Sequence, residues 1–331
     1  MSFIVHYSIG LYILPGTKDE FGVLLIVIFQ TTAHISLIRH RQNILLLLAK
    51  VSKIAKMMHF LEWKTLNILI ISYVIYIIGM NCILLMLVMN SESKFKMLRR
   101  IKQSNFVSDD LKYFYVIFRD AAGVLLVFLL HQLVLSFTAY YLCICKCLKS
   151  FHLQFVSRSH SLILQHNIQY LLQIHHEIVE TTSLADDFLS YPACITILNG
   201  MIGLFSFTYN FILELKVILN SNYLIIVGNI TGILFYSTLL VVIILPGAAV
   251  NQAAWISKET AKCLPWRFPR HFMELKKILH QRSTFSGPTL WKIYTIENSL
   301  LISAFGTLVT YGLLVGTLGS VDSLDLNDSS A

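Results

Sequence analysis

The chain has 331 residues, of which 56% are hydrophobic and only 13% are charged, and its mean hydropathy is +0.67. A soluble domain usually carries about 25% charged residues, so this composition excludes an ordinary water-soluble enzyme. Gly and Pro are too sparse for the many turns of a membrane β-barrel, which favours an all-α integral membrane protein. The net charge of +8 does not indicate nucleic-acid binding, because the basic residues cluster between apolar runs and no nucleic-acid-binding motif is present.

Several apolar segments are long enough, or nearly so, to cross the bilayer as helices. A span needs about 20 residues, and in chain order these segments are 21–38, 65–89, 121–145, 190–213, 223–245 and 295–318. The opening segment, 1–14, is too short to span by itself at about 1.5 Å per residue. It also lacks the basic start and the small-residue cleavage site of a signal peptide. We interpret it as a short or incomplete first span, which gives about seven transmembrane helices.

The basic residues between these segments predict the orientation. With a cytoplasmic N-terminus, the cytoplasmic loops 39–64, 146–189 and 246–294 hold 17 Lys and Arg residues, and the outer segments hold 9. The positive-inside rule therefore favours a cytoplasmic N-terminus and an extracellular C-terminus. The tail 319–331 agrees, because it is acidic and contains the glycosylation sequon Asn327-Asp328-Ser329.

The cytoplasmic loops show helical patterns. Apolar residues recur at helical spacing through 146–189, so we expect the fourth span to continue as a cytoplasmic helix and a second helix to lead into the fifth span. Residues 271–282 form an amphipathic pattern that ends near Gly287-Pro288. We divide the chain into a bundle of transmembrane helices with helical loops (1–250), an anchor helix with the last span (251–318), and an acidic extracellular tail (319–331).

The most specific pattern lies in the last part of the chain. The anchor helix ends at 280–282 and is followed by Thr284-Phe285-Ser286-Gly287, by Glu297-Asn298, and by a span that contains Thr310-Tyr311. This stretch resembles the C-terminal signature of the arthropod gustatory receptors, which share a superfamily with the insect odorant receptors. In that family, Thr-Tyr is followed by five apolar residues and then Gln-Phe. Here Thr317 and Leu318 occupy those last two positions.

The resemblance implies a plasma-membrane chemosensory receptor that is also a ligand-gated, non-selective cation channel. Four subunits, identical or different, would surround a central pore lined by the last span. By position, Leu314, Thr317 and Leu318 would line it, and their spacing puts them on one helical face. An apolar ring gates by dewetting, and a hydroxyl ring hydrogen-bonds a partly hydrated ion. The alternative is that these side chains pack against neighbouring helices.

The acidic tail extends this hypothesis. Asp322 follows Leu318 by about one helical turn, so fourfold symmetry would set four copies of it around the outer mouth of the pore. Rings of Asp concentrate cations. The alternative is a solvated tail with no such role.

Polar residues within the spans are candidates for the ligand pocket, because they are costly in a membrane. We expect a small tastant or odorant to bind near a set of them, with interhelical hydrogen bonds as the alternative. The expected pocket residues are His131, Gln132, Asn210 and Asn229, and His34 and Asn199 are further polar residues of the spans.

Other functions have weaker signatures. The segment His175-His176-Glu177-Ile178-Val179-Glu180 is similar to the zinc-protease pattern His-Glu-x-x-His, but Glu180 replaces the second ligand, so we expect a solvated helix face. We expect no catalytic residues, metal or cofactor. The alternative classes are a G-protein-coupled receptor, whose orientation and Asp-Arg-Tyr and Asn-Pro-x-x-Tyr motifs do not fit, and a transporter, whose inverted repeat is not visible.

Overall fold

The computed structural model is mostly helical. It describes residues 28–29, 31–33, 35–58, 68, 71–72, 75–76, 79, 109–165, 167–216, 223–280, 287–307, 310–311 and 314. For 109–131, 213–216, 223–225 and 277–280 only the backbone is described. In order, the elements are α1 (Arg41–Met57), α2 (Asp109–Leu164), α3 (Ile168–Lys216), α4 (Tyr223–Arg267), a 3-10 turn (Pro269–His271), α5 (Phe272–His280), β1 (Thr289–Leu290) and β2 (Tyr294–Thr295). Residues 298–307 begin the last helix.

Three helices contain stretches that are long and apolar enough to cross a membrane: Gln132–Leu164 in α2, Ile168–Ile212 in α3 and Ile226–Arg267 in α4. The whole helices have 56, 49 and 45 residues. At about 1.5 Å per residue, each is more than twice as long as the roughly 30 Å hydrocarbon core is thick. Each helix therefore continues beyond the membrane. The described residues confirm the predicted helical membrane fold, whereas seven spans and the orientation remain predictions.

The predicted continuation of the fourth span is confirmed. α2 runs without a break from the apolar segment 121–145 to Leu164. A short turn follows, in which the Asn167 N–H donates to the Leu162 carbonyl at 2.9 Å, and α3 then leads into the fifth predicted span. The amphipathic segment 271–282 forms α5, with the bounds Phe272–His280.

The core lies between α2, α3 and α4. Phe151 of α2, Leu171 of α3 and Leu240 of α4 are fully buried and belong to one apolar cluster. α3 and α4 approach closely through glycines: a Cβ added at Gly200 would lie 2.8 Å from the Leu240 side chain, and one at Gly203 would overlap the Tyr236 ring. Small residues at such contacts let helix backbones pack closely, which is the usual way that helices associate in membranes.

α1 packs against α3 and covers its charged face. Leu47 and Ile54 of α1 are buried. Beside them, Lys50 Nζ lies 2.7 Å from Glu180 Oε1, and Lys53 Nζ donates to Glu177 Oε1 at 2.5 Å. α1 is therefore an integral part of the bundle.

This packing corrects one prediction. The segment 175–180 was expected to form a solvated helix face. His176 and Glu180 are exposed, as expected, but His175 and Glu177 are buried. The His175 ring lies 5.0 Å from the Phe155 ring, centroid to centroid. The reason is that α1 and α2 cover this side of α3, and Lys53 compensates the charge of Glu177.

Candidate functional site

A small antiparallel hairpin connects α5 to the last helix. β1 pairs with β2, and the Ile293 N–H donates to the Leu290 carbonyl at 3.0 Å across the turn. Within this turn, Trp291 and Lys292 have φ angles of 51° and 58°. Bulky residues rarely adopt this left-handed region. Because the strands have only two residues each, contacts with neighbouring helices must hold the hairpin in place.

Asp186 of α3 binds the first strand of the hairpin. Its Oδ1 accepts hydrogen bonds from the Thr289 backbone N–H at 2.6 Å and from the Thr289 hydroxyl at 2.8 Å, and its Oδ2 lies 3.0 Å from the same hydroxyl. Hydrogen bonds to an ionised acceptor are about twice as strong as neutral ones. This contact ties α3 to a segment more than one hundred residues later in the chain.

Asn251 of α4 binds both ends of the hairpin. Its Nδ2 donates to the Pro288 carbonyl at 2.9 Å and to the Ile296 carbonyl at 2.7 Å, which uses both amide hydrogens. A Cβ added at Gly287 would overlap the Asn251 Oδ1 and lie 3.1 Å from the Asn251 Cα. The close approach of Asn251 therefore explains why the signature residue Gly287 lacks a side chain.

The turn of the hairpin makes weaker contacts with α3. Lys292 Nζ lies 2.6 Å from Asp187 Oδ1, and both side chains are exposed. The hydrogen bond to Asp187 raises the pKa of Lys292. The Trp291 ring packs edge-on against Tyr191 with 5.4 Å between the centroids. An exposed ion pair contributes about 1 kcal/mol or less, so the partly buried hydrogen bonds of Asp186 and Asn251 are the stronger contacts.

A cavity of about 500 Å³ lies beside the hairpin. Its lining includes Trp255 and Lys258 of α4 together with Gly287, Glu297 and Asn298 at the two ends of the hairpin segment. No side chain of the described residues fills this space between α4 and the first turn of the last helix.

The last helix carries the predicted pore and signature residues. Thr310 and Tyr311 are exposed, and Leu314 is 52% exposed. Thr317, Leu318 and Asp322 lie outside the described residues. An exposed apolar side chain on this helix suits a lipid, subunit or pore environment alike, so the role of Leu314 as a pore residue remains a prediction.

Two of the predicted pocket residues lie at the same level of one helix–helix interface. Gly203 of α3 contacts Tyr236 of α4. About one turn further along α3, Phe207 contacts Gly232 of α4, so the antiparallel helices keep a constant register. One further turn in this register brings Asn210 level with Asn229. Positions 203, 207 and 210 share one stripe of α3, as 236, 232 and 229 share one stripe of α4. The two amides therefore belong to the facing surfaces of α3 and α4.

The polar atoms at this level are incompletely satisfied. Asn229 is 7% exposed, and its Nδ2 has no hydrogen-bond partner among the described residues. Asn210 is half-buried. No charged side chain occurs in 199–212 or 226–245. An unpaired donor in an uncharged, aromatic setting is suited to a neutral group that accepts a hydrogen bond.

The other predicted pocket residues are not brought to this level by any described contact. Gln132 is half-buried in α2, where its backbone carbonyl accepts a hydrogen bond from the Ser136 hydroxyl at 2.7 Å. The side chain of His131 lies outside the described residues. Asn199 is 1% exposed, and neither its Nδ2 nor its Oδ1 has a partner in the described part of the chain.

The sequence did not indicate Asp186, Asn251 or Thr289 as functional residues. Their contacts join distant parts of the chain, so no local spacing reveals them. The one available signal was the acidic pair Asp186-Asp187 just before the apolar segment 190–213. Among the described side chains, no group of His, Cys, Asp or Glu could hold a metal ion, and the hairpin site is built from hydrogen bonds.

The described helices define an all-α membrane protein with long extensions beyond the bilayer. No protein-family model matches the chain, and no curated protein matches its sequence. Among solved structures, the chain is similar to the insect olfactory receptor OR5 from Machilis hrabei, with a TM-score of 0.58 and 11% sequence identity. The likeness covers 94% of this chain and 85% of that receptor. At such low identity the comparison shows the fold: this chain has the fold of an insect olfactory receptor.

Proposed function

We propose that the protein is a chemosensory receptor of the insect chemoreceptor superfamily, of the gustatory type, and acts as a ligand-gated cation channel. The observation that carries the proposal is the fold shared with an insect olfactory receptor over 94% of the chain. The gustatory assignment rests on the pattern that runs from Gly287 to Thr310-Tyr311. The proposed setting is the plasma membrane, with four subunits, identical or different.

The proposed ion path is lined by the last helix from each of four subunits. Leu314 and Leu318 would form the apolar constriction, with Thr317 beside them to hydrogen-bond a partly hydrated cation. The common face of these positions supports the assignment. Four copies of Asp322 at the outer mouth would raise the local concentration of cations.

The proposed ligand is a neutral small molecule that accepts a hydrogen bond. Asn229 would donate to it from α4, and Asn210 would contact it from α3. The buried Asn229 Nδ2 and the lack of charged side chains around it support this ligand class. His131 and Gln132 of α2 stay part of the predicted pocket on the sequence pattern alone, since no described contact brings Gln132 to the level of Asn229.

The test is whole-cell current recording from cells that express the full chain, with a panel of neutral tastants. Ligand-evoked cation current that persists when G-protein signalling is blocked is the expected result. A response abolished by that block would instead support a G-protein-coupled receptor. Replacing Asn229 with Leu should then raise the half-maximal ligand concentration without changing the ion selectivity.

A further inference from the structure

The hairpin lies at one end of the two helices that carry the proposed ligand residues. Asp186 and Asn210 are both on α3, 24 positions apart, and Asn229 and Asn251 are both on α4, 22 positions apart. At about 1.5 Å per residue, each separation is roughly 35 Å along one helix. Both intervals are helical throughout, and each contains one proline, Pro192 in α3 and Pro246 in α4, which removes a backbone hydrogen bond there. Each helix thus links the ligand level to the hairpin.

The hairpin is also a strained element. Trp291 and Lys292 both have left-handed backbone conformations, which persist only where the surroundings over-determine them. The surroundings here include the Asp186 carboxylate, which accepts hydrogen bonds from Thr289, and the Asn251 amide, which donates to the Ile296 carbonyl. Such strain is concentrated at switch regions in proteins.

Among the described residues, the hairpin is closely packed around Asp186 and more open beside the start of the last helix. A void of about 10 Å³ is lined by Tyr141 of α2, by Asp186 and by Thr289. The larger cavity leaves the start of the last helix uncovered near Glu297. The hairpin is therefore held by the polar contacts of Asp186 and Asn251 together with the burial of Leu290 and Ile296 in the apolar core.

We propose that the hydrogen bonds between Asp186 and Thr289 are the coupling contact through which α3 moves the last helix. This inference rests on the proposed channel function and assigns Asp186 and Thr289 as positioning residues for gating. When α3 shifts, the carboxylate pulls on both the backbone N–H and the hydroxyl of Thr289. The hairpin transmits this displacement to residues 298–307, which begin eight positions after β1 ends.

Substitutions at Thr289 test the coupling. Thr289→Val keeps the shape of the side chain and removes the hydroxyl donor, whereas Thr289→Ser keeps the donor. Thr238→Val is the matched control, because the hydrogen bond that the structure describes for the Thr238 hydroxyl lies within its own helix, to the Leu234 carbonyl. Each full-length variant is expressed in cells, its surface amount is measured by labelling, and its current is recorded over a range of ligand concentrations.

At equal surface amount, we expect Thr289→Val to raise the half-maximal ligand concentration about tenfold, the size of one lost hydrogen bond to a charged group. Thr289→Ser and Thr238→Val should stay within about twofold of the wild type. An unchanged or lowered half-maximal concentration in Thr289→Val overturns the coupling. If Thr289→Val does not reach the cell surface, Asp186→Asn is tested in its place. This variant keeps an acceptor oxygen without the charge, and it should also raise the half-maximal ligand concentration about tenfold.

The two proposals fail in different ways. A wild-type chain with no ligand-evoked current contradicts the channel function itself. Hydrogen exchange of the purified protein then tests the contact alone: Thr289→Val should speed exchange in 289–307, and Thr289→Ser should not. Unchanged exchange in Thr289→Val contradicts the coupling role whatever the current shows.

Discussion

Replacing Gly287 with Ala should displace Asn251 from the hairpin. The added Cβ overlaps the Asn251 Oδ1 and approaches its Cγ to 2.9 Å, so the amide must move away from the Pro288 and Ile296 carbonyls. Two hydrogen bonds of about 0.5–1.5 kcal/mol each are lost, which gives about 1–3 kcal/mol of destabilisation. Asn251→Ala removes the same bonds and should cost a similar amount.

The double variant separates this explanation from a general effect of substitution at Gly287. With Asn251 already replaced by Ala, Gly287→Ala no longer displaces an amide and should cost little more. The expected coupling energy is therefore about 1–3 kcal/mol. At independent sites, the stability losses of the single variants add to within about 0.5 kcal/mol of the loss in the double variant. The stability of each variant is measured by thermal unfolding of the purified protein, with size-exclusion chromatography after heating as the readout of the folded fraction. Strictly additive losses would refute the overlap between Gly287 and Asn251 as the reason for the glycine.

Further predictions concern packing and topology. Gly232→Ala should destabilise the protein by about 1–3 kcal/mol, because its Cβ would overlap the Phe207 ring. The control is Gly306→Ala, whose Cβ meets no described atom within 4 Å and which should be neutral or stabilising. Equal losses of stability for the two variants in thermal unfolding would contradict the close α3–α4 contact. Asn199→Leu should stabilise by about 1–3 kcal/mol, because it removes a buried amide without partners in the described residues; a loss of stability would mean that the amide has a partner. An epitope tag at the C-terminus should react on intact cells, and reaction only after permeabilisation would contradict the predicted orientation.

The long helices could be predicted because their signals are local. Apolar length and helical periodicity predicted most of α2 and α3, including the continuation past Cys145, although α2 begins at Asp109, twelve residues before the predicted span 121–145. The pattern of 271–282 likewise predicted α5, which has the bounds Phe272–His280. Each of these features depends on residues within a few turns of one another.

The hairpin could not be predicted for the opposite reason. Its strands have two residues each, and its turn places Trp291 and Lys292 where Asn and Gly are usual. Long-range contacts with Asp186 and Asn251 override these local preferences. The burial of Glu177 was missed similarly, because α1, whose Lys53 pairs with it, lies far away in the sequence.

Gly287 illustrates what a resemblance adds and what it leaves out. The sequence indicated this residue as part of a signature, but only the approach of the Asn251 side chain gives the physical reason. For Asn210 and Asn229, the sequence supplied the residue types, and the register of glycine contacts supplied their common level. Residue spacing within one helix gives neither the reason for Gly287 nor the common level of Asn210 and Asn229.

Water accessibility along the last helix tests the proposed channel most directly. Cysteines introduced singly at Leu314, Thr317 and Leu318 are exposed to a charged, membrane-impermeant thiol reagent while ligand holds the protein active. We expect ligand-dependent modification at all three positions and a change in current as the reagent reacts. If none of the three reacts in a protein that still responds to ligand, the last helix does not line the ion path.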